Sequence, residues 1–97
     1  MNQIVLENND FLRQFEVKVD DTMARIEYAA QERKIFLTKL IVPENIDSAE
    51  FKDEFIKVVL EYVAERNLKV VPTSPEIAGF LRKNKSYKEL LPVGIKL

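Results

Sequence analysis

The sequence predicts an α/β domain built on a mixed, mostly antiparallel sheet, and three observations carry the prediction. Phe15-Glu16-Val17-Lys18-Val19 alternates apolar and charged residues, the period of a half-buried strand. From Phe51 to Val63 apolar residues recur every three or four positions, the period of an amphipathic helix. That helix lies between two apolar runs that each end at a proline, so strand, helix and strand make a βαβ unit.

Taken in order, the first strand is Phe15 to Val19, and Asp20-Asp21 supplies a turn. Met23 to Ala29 continues as a second strand with weaker alternation. Lys34 to Val42 is richer in β-branched and apolar residues, as expected of a central strand covered on both faces, and Pro43 ends it. Asp47 stands three residues before Glu50, the spacing of a capping box at a helix start. Phe51, Phe55, Val58, Val59, Tyr62 and Val63 form the apolar stripe of that helix, and Asn67 suits its C-terminal cap. Leu68 to Val71 is a short strand closed by Pro72. Ser74 before Pro75 reads as an N-cap with proline at the first helical position, opening a second helix that contains Ile77, Ala78, Phe80 and Leu81. A third, short helix is expected from Ser86, with Glu89 completing a second capping box.

Composition narrows the chemistry. With 97 residues, 46% of them apolar, and only 2 Gly and 4 Pro, residues 1–97 are read as one domain around one core. The 16 acidic and 15 basic residues are mixed along the chain, so no basic face of the kind that follows a nucleic-acid backbone is evident. The absence of cysteine and histidine removes thiolate and imidazole catalysis, disulfides and zinc sites, and no metal is expected. No 18-residue apolar stretch occurs, so no membrane span is expected and a cytoplasmic location is inferred.

Four stretches together resemble the small single-domain members of the GNAT acetyltransferase superfamily: RQFEVKVD (13–20), FLTKLIVPE (36–44), VLEYVAERNLKVVP (59–72) and SPEIAGFLRKNKSYKELL (74–91). The resemblance implies a GNAT-like fold with one long helix and two shorter C-terminal ones. It further implies acetyl-CoA bound at the loop and N-terminus of the long helix, with an amine of a small molecule or protein as acceptor. By position, Val42, Asp47, Ser48, Ala49, Glu50 and Phe51 would be the cofactor-binding residues, with the backbone amides of Ser48 to Phe51 facing the pyrophosphate.

This chain departs from the family where the cofactor is gripped. The family's R-G-x-G loop, whose glycines let backbone amides approach phosphate, reads Asp47-Ser48-Ala49-Glu50. Two carboxylates beside a pyrophosphate repel it by roughly 4 kcal/mol per pair at about 4 Å, before screening. Acetyl-CoA binding and transfer are therefore expected to be weakened or lost, while Asp47 and Glu50 serve the helix dipole.

Further departures concern the reacting groups. Ser74 replaces the family's cysteine, and is either a nucleophile or the N-cap of the second helix. Asn84 replaces its histidine, and the strand motif T-H-T-E-V-P reads Thr38-Lys39-Leu40-Ile41-Val42-Pro43. Tyr87 matches the family's tyrosine, and either protonates a departing thiolate or packs as an aromatic. Two functions stay open: an acetyl-CoA-dependent N-acetyltransferase on an unknown amine, or a non-catalytic module on the same scaffold that binds a protein or small ligand.

Overall fold

The computed structural model describes residues 4–95. Five strands form one sheet in sequential order: β1 (Leu6–Asn9), β2 (Gln14–Val19), β3 (Thr22–Gln31), β4 (Lys34–Ile41) and β5 (Lys69–Pro72). The first four pair antiparallel, and β5 lies parallel to β4. Between β4 and β5 runs α1 (Ala49–Glu65), entered through a 3₁₀ turn at Glu44–Ile46; α2 (Pro75–Lys83) and a 3₁₀ helix (Lys85–Leu90) follow β5. The mixed, mostly antiparallel sheet and its βαβ unit follow the pattern read from the sequence.

β1 is an element that alternation does not announce, because Leu6-Glu7-Asn8-Asn9 carries little of the apolar, β-branched character of a strand. It is held by pairing with β2, from Leu6↔Val17 to Asn9↔Gln14, and by the Asn8 side chain. That side chain accepts from the Tyr28 hydroxyl at 2.6 Å and donates to the Tyr62 hydroxyl at 3.1 Å.

One face of the sheet is the core. Cross-strand partners Phe15 and Ile26, Val17 and Ala24, and Tyr28 and Leu37 are all buried, and with Ile35 and Val70 they meet the helices. The opposite face carries Glu16, Lys18, Arg25 and Lys39. β4 is thus covered on one face rather than two: Ile35 and Leu37 are buried, whereas Thr38 and Lys39 are exposed.

The buried face of α1 is Phe55, Ile56, Val59, Leu60 and Val63, with Phe51, Val58 and Tyr62 on its rim. The apolar stripe expected from the sequence was one edge of this wider face, and missed Ile56 and Leu60. At the helix end Asn67 takes a left-handed φ of 58°, its N–H donates to the Ala64 carbonyl, and the Leu68 N–H donates to that of Val63. This is a Schellman closure that asparagine tolerates.

Two caps differ from expectation. The N-cap of α1 is Ser48, whose Oγ accepts from the Phe51 N–H at 3.0 Å; Asp47, one residue too early, makes an ion pair instead. The last helix begins at Lys85, is 3₁₀ rather than α, and has no side-chain cap, so Ser86 and Glu89 form no capping box. Six residues are too few to repay α-helical nucleation without strong packing.

Candidate functional site

The sheet divides at Leu37. β4 pairs with β5 only as far as Leu37↔Pro72, and the Leu37 carbonyl then accepts from the Thr73 N–H, the Ser74 N–H and the Thr73 hydroxyl, each at 3.1 Å. β5 turns away into α2, while β4 continues from Thr38 to Ile41 paired only with β3. A bulge marks the same place: Glu27 faces Lys39 and Tyr28 faces Leu37, so Thr38 is the extra residue. Its hydroxyl donates to the Glu27 carbonyl at 3.0 Å.

Beyond the division lies a groove of about 300 Å³ between β4, α1 and α2. β4 contributes Leu40; α1 contributes Ala49, Lys52, Asp53 and Ile56; α2 and the residue after it contribute Pro75, Glu76, Gly79, Phe80, Lys83 and Asn84. At its mouth the Lys52 ammonium stands 3.2 Å from an Asp47 carboxylate oxygen and 3.1 Å from one of Glu76, so one lysine ties the start of α1 to the start of α2. Both carboxylates, Glu76 first, push the Lys52 pKa up. Asn84 closes the far end, its side chain donating to the Phe80 carbonyl at 2.9 Å.

The start of α1 retains part of the chemistry that a phosphate would use. The Phe51 amide is taken by Ser48, but those of Ser48, Ala49 and Glu50 donate to no acceptor among the described residues. Around them stand the carboxylates of Asp47, Glu50 and Asp53, all on exposed residues, and the one lysine of that turn is already paired with two acids. The residues at this terminus therefore do not fit a polyanion well.

The residues singled out in the sequence scatter around the groove. Of Val42, Asp47, Ser48, Ala49, Glu50 and Phe51, only Ala49 lines it; Val42 and Phe51 pack against the core. Ser74 is buried at the N-cap position of α2 without a side-chain cap bond, and does not line the groove. Tyr87 packs its ring 5.8 Å from that of Phe80, and its hydroxyl donates to Glu61 at 3.4 Å. Burial, and then Glu61, hold its phenol above the usual range.

The groove residues to which sequence reasoning gave no part in a site include Lys52, Glu76 and Gly79. A glycine four positions into a predicted helix was the available signal, since helix interiors disfavour it. Lys52 and Glu76 gave none, because their meeting depends on how α1 and α2 pack. No group of three or more metal-ligating side chains occurs among the described residues, and none of the described helices is long and apolar enough to cross a membrane.

Comparison with known proteins agrees with this architecture. The solution structure of a GCN5-like candidate N-acetyltransferase from Staphylococcus aureus matches with a TM-score of 0.71 at 20% identity, covering 99% of this chain and 94% of that one. No curated protein matches. The family model for GCN5-related N-acetyltransferases matches residues 14–90, a span that runs from β2 through the divided sheet to the last 3₁₀ helix, and the chain belongs to that family.

Proposed function

We propose that this protein keeps the acetyltransferase scaffold while its grip on acetyl-CoA, and with it acetyl transfer, is weakened or lost. The observation that carries the reading is the state of Lys52: the cation nearest the α1 amides is held between Asp47 and Glu76. A pyrophosphate would have to displace at least one of those carboxylates and then lie beside both. Lost attraction and added repulsion of even about 3 kcal/mol raise a dissociation constant more than a hundredfold.

Ser74 and Tyr87 support the same reading. Ser74 is buried, and with no histidine in the chain its hydroxyl lacks the usual base. Tyr87 is engaged with Glu61 and Phe80. Titration of acetyl-CoA and CoA against the purified protein, followed by calorimetry, tests the proposal: dissociation constants in the millimolar range are expected. Micromolar binding, or turnover on a panel of amines, would overturn it in favour of an active N-acetyltransferase.

A further inference from the structure

β1 forms one edge of the sheet, at the opposite end of the strand order from β5. Sheet edges are usually blunted by lysine, proline or a bulge, yet β1 has neither residue, pairs with β2 without a bulge, and carries Glu7 as its single charge. Its backbone groups have a definite direction. The Tyr28 amide donates to the Arg13 carbonyl, one step beyond the Gln14↔Glu27 pair, so Arg13↔Tyr28 is a hydrogen-bonded pair. Alternation then turns the groups of Phe15 and Val17 toward β3 and those of Gln14 and Glu16 toward β1. Opposite them Asn9 and Glu7 point at β2, which leaves the N–H and C=O groups of Leu6 and Asn8 directed out of the sheet. Among the described residues no backbone hydrogen bond from outside the strand pair reaches them.

Apolar side chains at the two ends of this edge supply the second observation. Val5 is 72% exposed, Phe11 91% and Leu12 57%. The loop that carries Phe11 and Leu12 is pinned: Asn9 Oδ1 accepts from the Leu12 N–H at 3.0 Å, and Asp10 accepts from the Asn8 side chain at 3.1 Å and the Tyr28 hydroxyl at 3.3 Å. Large apolar groups held in water this way gain no burial from a single copy.

We propose that two copies of the chain pair through β1, antiparallel about a two-fold axis at Asn8, to make one continuous sheet. An axis between two residues would set Leu6 and Asn8 opposite residues whose groups already point at β2, so the axis passes through a residue. At Glu7 it would bring two glutamates face to face at the closer, non-hydrogen-bonded spacing. At Leu6 it would set Glu7 against Val5 and leave Phe11 in water. At Asn8 it sets Glu7 opposite Asn9, and brings Ile4 and Val5 of one copy beside Leu12 and Phe11 of the other. Apolar then meets apolar, and like charges stay apart. The Asn8 side chain keeps its bonds to Tyr28 and Tyr62, because the pairing uses backbone alone. One short strand from each copy makes a small interface, of the weak class. It involves neither the groove nor the start of α1, so it does not depend on the acetyl-CoA reading.

Sedimentation equilibrium of the full chain at concentrations up to about 1 mM tests the proposal. The average mass should rise toward that of two chains and stop there. Phe11→Asp should weaken the association at least about tenfold while leaving the melting temperature of the dilute chain unchanged, since Phe11 is exposed in one copy. The chain has no cysteine, so Val5→Cys and Phe11→Cys can be made singly and treated with a short bis-maleimide. A mixture of the two variants should cross-link faster than either variant alone. A single-chain mass throughout, a mass that climbs past two copies, undiminished association of Phe11→Asp, or equal cross-linking by each variant alone would overturn the inference.

Discussion

Polar side chains gather at both ends of α1, and the N-terminal end borders the groove. At the C-terminal end, Asn8 links the hydroxyls of Tyr28 and Tyr62, and both tyrosine rings pack on Phe15, with centroids 4.8 and 5.3 Å away. The Arg66 guanidinium covers the Tyr62 ring at 3.5 Å. At the N-terminal end, Asp47, Lys52 and Glu76 pair in the open, beside amides that have no protein acceptor among the described residues. Hydrogen bonds backed by aromatic packing close a surface; ion pairs with water around them leave it able to exchange partners.

Substitutions at the two ends can break this contrast. The largest effect is expected from Phe15→Ala, which removes a fully buried ring from the closed end and should cost about 3 to 5 kcal/mol in urea denaturation. A loss below about 1 kcal/mol would mean that the tyrosines hold that end without it.

Next comes Tyr28→Phe, which deletes the bond to Asn8 and should cost about 1 to 2 kcal/mol near neutral pH. Burial, and then Asp10, raise the Tyr28 pKa, so the phenol favours the fold while protonated. Its contribution is complete below about pH 10 and is lost as pH climbs through the raised value. Tyr87 acts in the same direction, so Tyr28→Phe should reduce the alkaline decline without abolishing it. Denaturation midpoints measured on both sides of pH 10 check this.

Smallest is Ser48→Ala at the open end, which forfeits the bond to the Phe51 amide and should cost about 1 kcal/mol. An equal loss from Asp47→Ala would return the capping role to Asp47.

Much of the fold was legible because it rests on local pattern. The alternation at Phe15–Val19, the prolines closing two strands and the helical period from Phe51 each report a period that one element must satisfy. β1 was not legible, since its pairing partner and the two tyrosines that hold Asn8 come from elsewhere in the chain. The candidate site was read at the right junction but on the wrong side chains. Capping chemistry pointed to Asp47, and one residue of phase gave the role to Ser48. The tie from Lys52 to Glu76 spans 24 positions and follows from the packing of α1 against α2, which no local period encodes.

The bulge at Thr38 acts as a parity switch for the floor of the groove. Up to Leu37, odd-numbered β4 residues face the helices; after the extra residue the even-numbered Leu40 does so, opposite Ile26. Were Thr38 instead paired as a regular strand residue, the alternation would bring Lys39 inward and send Leu40 to the solvent face. Whether the groove presents a methyl-rich floor or an ammonium group is therefore decided by how Thr38 is seated, as a bulge or as a paired residue, and not by the identity of the residues that line the groove, so the same side chains on a β4 without the bulge would change the sign of its ligands.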